Sequence, residues 1–199
     1  MAAPRHEPAL RFPPELLLMA QGRGGAGIRA AIFDVDGVLT DGRIYIGADG
    51  EAFKAFSTLD GHGLKLLMQG GITPIVITGR DSPAVRRRIA DLGIAEAVYG
   101  VHDKLAAAGA LLQRLQVGWE SLAVMGDDWP DLPLMSRAAF ACAPANAHAE
   151  AKAVAHHVTS AFGGHGAARE CCDLLLTAAG RYASLLHGHL VTLDDGEGA

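Results

Sequence analysis

Two aspartates one residue apart, Asp34 and Asp36, close a short apolar run and are followed at once by Gly37 in the stretch AAIFDVDGVLT, Ala30 to Thr40. The run Ala30-Ala31-Ile32-Phe33 has the character of a fully buried strand. Side chains along a strand alternate faces with period two, so both carboxylates leave the strand end on one side. Like charges held together need a cation or a shared proton to compensate them. The glycine lets the backbone turn sharply and lets a ligand come close. Two acids so placed make a reactive site rather than packing.

Other polar groups end other apolar runs. Ile72–Ile77 reads as a buried strand ending in Thr78-Gly79-Arg80, and Leu122–Met125 as another ending in Gly126-Asp127-Asp128, with Asp131 close behind. Lys104 starts the helix between them. Asp34, Asp36 and Asp127 supply the hard oxygen ligands that suit Mg²⁺. The Thr78 hydroxyl and the Lys104 charge suit phosphate oxygens. A carboxylate nucleophile, a metal and phosphate binders together mean phosphoryl transfer through an aspartyl-phosphate. Singly, Thr78 is an ordinary cap, Lys104 a solvated lysine, and Asp34 and Asp36 loop acids; the ordered set points to a site. Asp128 and Asp131 read equally well as acids favoured at a helix N-terminus.

These groups meet only if the elements between them form a parallel sheet. Residues 43–56 read as a hairpin turning at Gly47-Ala48-Asp49-Gly50. Helices follow at Gly61–Gly70, at Ser82-Pro83 to about Leu92, and at His102 to about Gln116. Further strands are expected at 97–99, 138–142 and around Val158. Further helices are expected at 132–137 and 147–155, and one long final helix at 166–187. Pro74 is tolerable in its strand at an edge or a first position. Alternating strands and helices predict an α/β fold, a doubly wound parallel sheet with helices on both faces. Ligands then bind beyond the carboxyl ends of the strands.

Residues 1–27 hold four prolines and end in Gly22-Arg23-Gly24-Gly25-Ala26-Gly27. They read as a flexible N-terminal tail with one helical turn near Glu15–Ala20 and a glycine linker. The glycines match G-x-G-x-x-G, but no strand precedes them and no helix follows, so no dinucleotide site is expected. The domain is expected over 28–190, with a C-terminal tail at 191–199.

The 199 residues suit one domain. Half of them are apolar, enough for a full core, and the net charge of −5 argues against a nucleic-acid partner. Three cysteines make no disulfide framework and suit a reducing compartment, with Cys171-Cys172 expected to pack in the core. The apolar run Leu16–Ala20 is far too short to span a membrane, so a cytoplasmic protein with no membrane partner is expected. His156-His157, His187 and His189 lack metal-site spacing and read as surface histidines. His62 and His165, set among glycines, fit a site rim or a turn equally.

DVDGVLT, the threonine of VITGR, Lys104 and GDDWPD resemble the four motifs of the haloacid dehalogenase superfamily. More narrowly, DVDGVLTDG, the hairpin, LDGHGLKLL, ITGR, VHDK, GDDWPDLPLM and GGHGAARECCDLLL are similar to its capless family of 3-deoxy-D-manno-octulosonate 8-phosphate phosphatases. The similarity covers roughly residues 28–186. It implies the Rossmann-like fold of that superfamily with a β-hairpin flap and no separate cap domain. It implies Asp34 as nucleophile and Mg²⁺ ligand, and Asp36 as general acid/base lending its backbone carbonyl to the metal. Asp127 would complete the metal ligands, with Asp128 and Asp131 supporting them, while Thr78 and Lys104 hold the phosphoryl group. Substrate contacts would come from Ser57, Thr58, Leu59, Asp60 and Gly61, from Lys65, Arg80 and Arg88, and from Asp36 and Lys104.

The chemistry agrees with those roles. Asp34 attacks phosphorus in line, and Asp36 must carry a proton for the departing sugar alkoxide and then take one from water, help typically worth ~10²–10⁴-fold. The intervals between the motifs hold no separate cap, which speaks against a phosphomutase. They leave the crevice open for another chain to cover, with the hairpin as contact element and a homotetramer implied by the resemblance. Arg80, Arg88 and Lys65 could meet a substrate carboxylate. Family members carry arginine at the positions of Leu59 and His165, so a nine-carbon sugar-acid phosphate is an alternative substrate. A catalytically idle scaffold is a further alternative, against which the intact acid set speaks.

Overall fold

A computed structural model describes the backbone of residues 7–194 and the side chains of residues 7–190; residues 1–6 and 195–199 of the two expected tails lie outside the described residues. The strands are β1 (Ala30–Phe33), β2 (Tyr45–Gly47), β3 (Gly50–Phe53), β4 (Thr73–Ile77), β5 (Glu96–Val98), β6 (Leu122–Met125), β7 (Phe140–Ala143) and β8 (His157–Val158). The helices are α1 (Pro14–Met19), α2 (Thr58–Gln69), α3 (Pro83–Leu92), α4 (Lys104–Leu115), α5 (Leu132–Arg137), α6 (Ala149–Val154), α7 (Ala167–Ala178) and α8 (Tyr182–Asp194). Among the described residues, six strands form one parallel sheet in the order β5-β4-β1-β6-β7-β8, and β2 pairs only with β3, antiparallel.

The apolar run of β1 is buried because it lies between β4 and β6 and is covered on both faces. Ala31 and Phe33 join Val76, Met125 and the apolar stripes of α2, α3 and α7. Ala30 and Ile32 join Ile75, Val124 and residues of α4, α5 and α6. Burying a side chain such as Phe33 is worth about 1.5–3 kcal/mol. Phe33 lies beside Val76 and Met125, so the ends of β1, β4 and β6 are nearly level. After β1 the sheet grows outward through β4 and β5 and then returns to the other side at β6. That reversal is the switch point at which such sheets bind ligands.

Three local expectations are corrected. The segment through Gly27 is docked rather than a free linker. Leu16 and Leu17 of α1 pack on the core, Ala20 is 2% exposed, and Arg23 Nη2 donates to the carbonyls of Arg137 and Ala138 at 3.1 and 2.9 Å. Its glycines serve a fixed turn, with Gly22, Gly24, Gly25 and Gly27 all at positive φ. The final helix is broken in two, because Gly180 at φ 67° ends α7 and the Arg181 amide returns to Leu176 O at 2.8 Å. Pro74 lies in an interior strand, yet β5 pairs with β4 only from Ile75 onward, so the missing N–H falls ahead of the doubly paired span. Cys142, Cys171 and Cys172 are buried free thiols, as packing requires. Among the described residues no helix is long and apolar enough to cross a membrane.

Candidate active site

Asp34 follows β1 directly, and its amide donates to Met125 O at 3.1 Å, which fixes the strand end against β6. Thr78 follows β4; it is buried, its amide donates to Val98 O, and its Oγ1 accepts the Arg80 amide at 3.3 Å. A hydroxyl that accepts there keeps its proton to donate elsewhere. Asp127 follows β6, where Gly37 makes room for it: a Cβ on Gly37 would lie 2.0 Å from Asp127 Oδ2. Gly126 makes room for Asp131 in the same way.

Lys104, the first residue of α4, is 5% exposed rather than solvated. Its Nζ lies 2.9 Å from Asp34 Oδ1 and donates to Asp131 Oδ1 at 2.7 Å. Burial pulls this ammonium down, but the Asp34 and Asp131 charges outweigh it and raise it above its ordinary value. Asp131 Oδ2 accepts the amides of Asp127 and Asp128 at 3.1 and 3.5 Å, so Asp131 holds the loop and the lysine together. The helix-terminus reading of Asp128 and Asp131 holds as well, since the two share a capping box around the 3-10 turn Trp129–Asp131.

Carboxylate oxygens of Asp34, Asp127 and Asp131 lie within 4.8 Å of one another. Burial, and then the charge of Asp131, pushes Asp34 up to about 6. Burial, and then the charges of Asp34 and Asp131, pushes Asp127 up to about 8. Asp34 Oδ1 accepts no hydrogen bond of good geometry despite its ion pair with Lys104. Clustered hard oxygens, one of them unsatisfied, and raised carboxyls are what a divalent cation such as Mg²⁺ would compensate. The donor set fits the metal.

The Asp36 side chain turns instead toward cations: it is paired with Lys54 Nζ and lies 3.8 Å from Arg80 Nε. Lys54, at the end of the hairpin, carries no periodic or motif signal that marks it, and neither does Glu51, its other partner. The two are the functional candidates that the sequence reading passed over. Asp34, Asp36, Thr78, Arg80, Lys104, Asp127, Asp128 and Asp131 all line one open crevice of about 390 Å³ at the carboxyl ends of β1, β4 and β6.

The remaining expected substrate contacts lie off this crevice within one chain. Ser57 caps α2, its Oγ accepting the Asp60 amide at 3.4 Å. Asp60 is buried and accepts the amides of Gly166 and Arg169 at 3.2 and 2.8 Å at the start of α7. Burial outweighs these bonds and raises its carboxyl. Arg88 donates to Ser57 O at 3.1 Å and fills the space over Gly61, where a Cβ would lie 2.3 Å from its Nη2. Thr58, Leu59 and Lys65 are exposed. His165 sits in a turn, its amide on Phe162 O, while His62 lies on α2 beside His189, outside the crevice. Gly163 and Gly164 press on the loop that follows Asp34: a Cβ on Gly163 would lie 1.8 Å from Gly37 O.

Comparison with known proteins accords with this geometry. A model of the haloacid dehalogenase-like hydrolase family matches residues 95–170. The 3-deoxy-D-manno-octulosonate 8-phosphate phosphatase of Escherichia coli K12 is 44% identical over 154 residues, 77% of this chain and 82% of that protein. The crystal structure of the phosphatase of that name from Moraxella catarrhalis, in complex with magnesium, phosphate and KDO, is 36% identical. It superposes with a TM-score of 0.82 over 88% of this chain and 98% of that one. The cobalt-bound deoxy-D-mannose-octulosonate 8-phosphate phosphatase of Haemophilus influenzae is 44% identical, with a TM-score of 0.76 over 78% of this chain and 91% of that one.

Proposed function

The chain belongs to the haloacid dehalogenase-like hydrolases, and on that premise we propose that it is a Mg²⁺-dependent phosphatase of 3-deoxy-D-manno-octulosonate 8-phosphate, acting in lipopolysaccharide precursor synthesis. The observation that carries the reading is the gathering of Asp34, Asp127, Asp131, Lys104 and Thr78 in one crevice with Asp36 at its edge.

A carboxylate oxygen of Asp34 attacks phosphorus; the new O–P bond forms as the bond to the sugar oxygen breaks, and Asp36 gives that oxygen its proton. Water then attacks the aspartyl-phosphate, Asp36 takes its proton, and the Asp34 carboxylate and inorganic phosphate are released. Lys104 and the Thr78 hydroxyl hold the phosphoryl oxygens through both transfers. Magnesium, held by Asp34, Asp127 and the Asp36 backbone carbonyl, would neutralise the charge of the phosphoryl oxygens.

The crevice is open on one side, and the hairpin beside it exposes Ile44, Ile46 (70%) and Phe53. An apolar edge of this kind supports assembly, and the reading extends to a cytoplasmic homotetramer. Leu59, Lys65 and Arg88, off the crevice in their own chain, would then have a neighbour's crevice to serve. A monodisperse, fully active monomer in solution would contradict this assembly.

Phosphate release across a panel of phosphorylated sugar acids, with and without Mg²⁺, tests the reaction. The octulosonate phosphate should be the best substrate and chelation should abolish release. Replacement Asp34→Asn should remove more than the ~10²–10⁴-fold that acid/base help supplies. Release from none of the panel, or substantial turnover by the Asn variant, overturns the reading.

A further inference from the structure

The hairpin carries a carboxylate into a cluster of cations at the edge of the crevice. Glu51 of β3 accepts a hydrogen bond from Ser82 Oγ through Oε1. Its Oε2 lies 3.3 Å from Lys54 Nζ and 3.4 Å from Arg80 Nη2. Ser82 occupies the N-cap position of α3 and is 4% exposed, yet makes no capping bond; its hydroxyl is committed to Glu51 instead. The Lys54 side chain is wholly covered, which is unusual for a lysine on a two-stranded hairpin.

The rest of the crevice is acidic. Lys104 is held by Asp34 and Asp131, so Arg80 is the guanidinium that lines the crevice away from them, and Lys54 lies behind it, covered and paired with Asp36. Among the described residues that line the crevice, Arg80 is the guanidinium a substrate carboxylate would meet, with the His102 imidazole the other basic side chain outside the phosphoryl site. Two carboxylates now occupy the Arg80 and Lys54 cations, Asp36 of the site and, from the hairpin, Glu51. It sits on β2–β3, which pairs with no strand of the main sheet and can move without breaking that sheet.

We propose that Lys54, Arg80 and Ser82 form a carboxylate subsite, that Glu51 plugs it when no substrate is bound, and that the carboxylate of the sugar acid displaces Glu51 on binding. The inference rests on the proposed function and names the part of that site that selects an acidic sugar. Exchanging one carboxylate for another keeps the ion pairs and the Ser82 bond in number. A neutral sugar phosphate offers no replacement, so Glu51 stays and the subsite remains shut to it.

The test uses the full chain with Mg²⁺ and two substrates, the octulosonate phosphate and p-nitrophenyl phosphate, which has no carboxylate. In Glu51→Gln the ratio of the first KM to the second should fall roughly two- to fivefold, the span of a partly exposed ion pair. A ratio that is unchanged or rises makes Glu51 a fastening of the hairpin and overturns the plug. Hydrogen exchange of residues 45–53 in the unmodified protein gives a reading independent of the variant. Exchange there should quicken on adding the free sugar acid and not on adding inorganic phosphate; no change, or slowing, again overturns the plug. An unmodified protein that releases no phosphate from the octulosonate phosphate defeats the functional reading, whereas normal release with an unmoved ratio defeats the plug alone.

Discussion

Lys104 Nζ stands 2.9 Å from Asp34 Oδ1, both groups drawn out of water at the junction of α4 and β1. The chain sets them seventy positions apart, and only the parallel sheet brings them together. Their charges do two things: the lysine offsets part of the burial that raises Asp34, and the acids keep the lysine charged.

Lys104→Met comes within one atom of the side chain's length and removes the charge. Losing one preorganised stabiliser of the developing charge should lower kcat by about 10²–10³. Phosphate release measured beside a circular-dichroism melt checks it; a kcat within tenfold of the unmodified protein would leave Lys104 a structural group.

Metal should matter more to stability as pH rises. Without it, Asp34 and Asp127 bind protons more tightly folded than unfolded, with values of about 6 and about 8 against an ordinary 3.8. The stability this gives is complete below the ordinary value and is lost as pH climbs through about 6 and about 8. A divalent cation replaces those protons, so added Mg²⁺ should raise Tm more at pH 8 than at pH 5. Equal shifts would show that the acids do not hold the ion.

Gly163→Ala should strike the loop that carries Asp36 and Gly37 through its backbone. Its Cβ would lie 1.8 Å from Gly37 O and 3.0 Å from Thr40 O, all backbone atoms that cannot rotate away. Moving that loop by even about an ångström can cost about 10²-fold in rate. The expected result is a folded variant with kcat reduced on that scale, measured by phosphate release and near-ultraviolet circular dichroism.

Glu170 fastens the loop before α7. Burial alone would raise its carboxyl, but His157, the Ser160 hydroxyl and the amides of Ser160 and Ala161 hold it down at about 2. Its contribution is present above the ordinary 4.5 and is lost as pH falls through about 2. Glu170→Gln should therefore destabilise the protein at pH 7, by about 1 kcal/mol once solvent screening of this half-buried group is allowed for, and the gap should close toward pH 2. Urea midpoints at pH 7, 4 and 2.5 measure it; a constant gap would assign the effect to shape rather than charge.

The local content of the site was legible because strand ends announce themselves. An apolar run and a following glycine mark Asp34 and Asp36, and alternating apolar runs place Thr78, Lys104 and Asp127 beside them. The strand itself stops at Phe33, and Asp36 lies in the turn beyond it, where period-two alternation no longer holds. What the sequence could not reveal was the direction each polar group takes once packed. Asp60, within LDGHG, reads as a substrate contact, but its carboxylate caps α7 because Gly63 lets that helix approach closely. Glu51 and Lys54 look like ordinary hairpin residues, and the segment before β1 like a linker, because a partner on another element, such as Asp36 for Lys54 or Ser82 for Glu51, leaves no trace in local periodicity.

The sequence alone determined the alternating α/β order, the buried strands and which acids end them, since those follow from residue type and neighbours a few positions off. The tertiary structure decided which charges meet: Asp131 with Lys104, Asp36 with Lys54, and Glu51 with Arg80. Coulomb energy and desolvation depend on distance in space and on burial, and both are fixed only when the sheet closes.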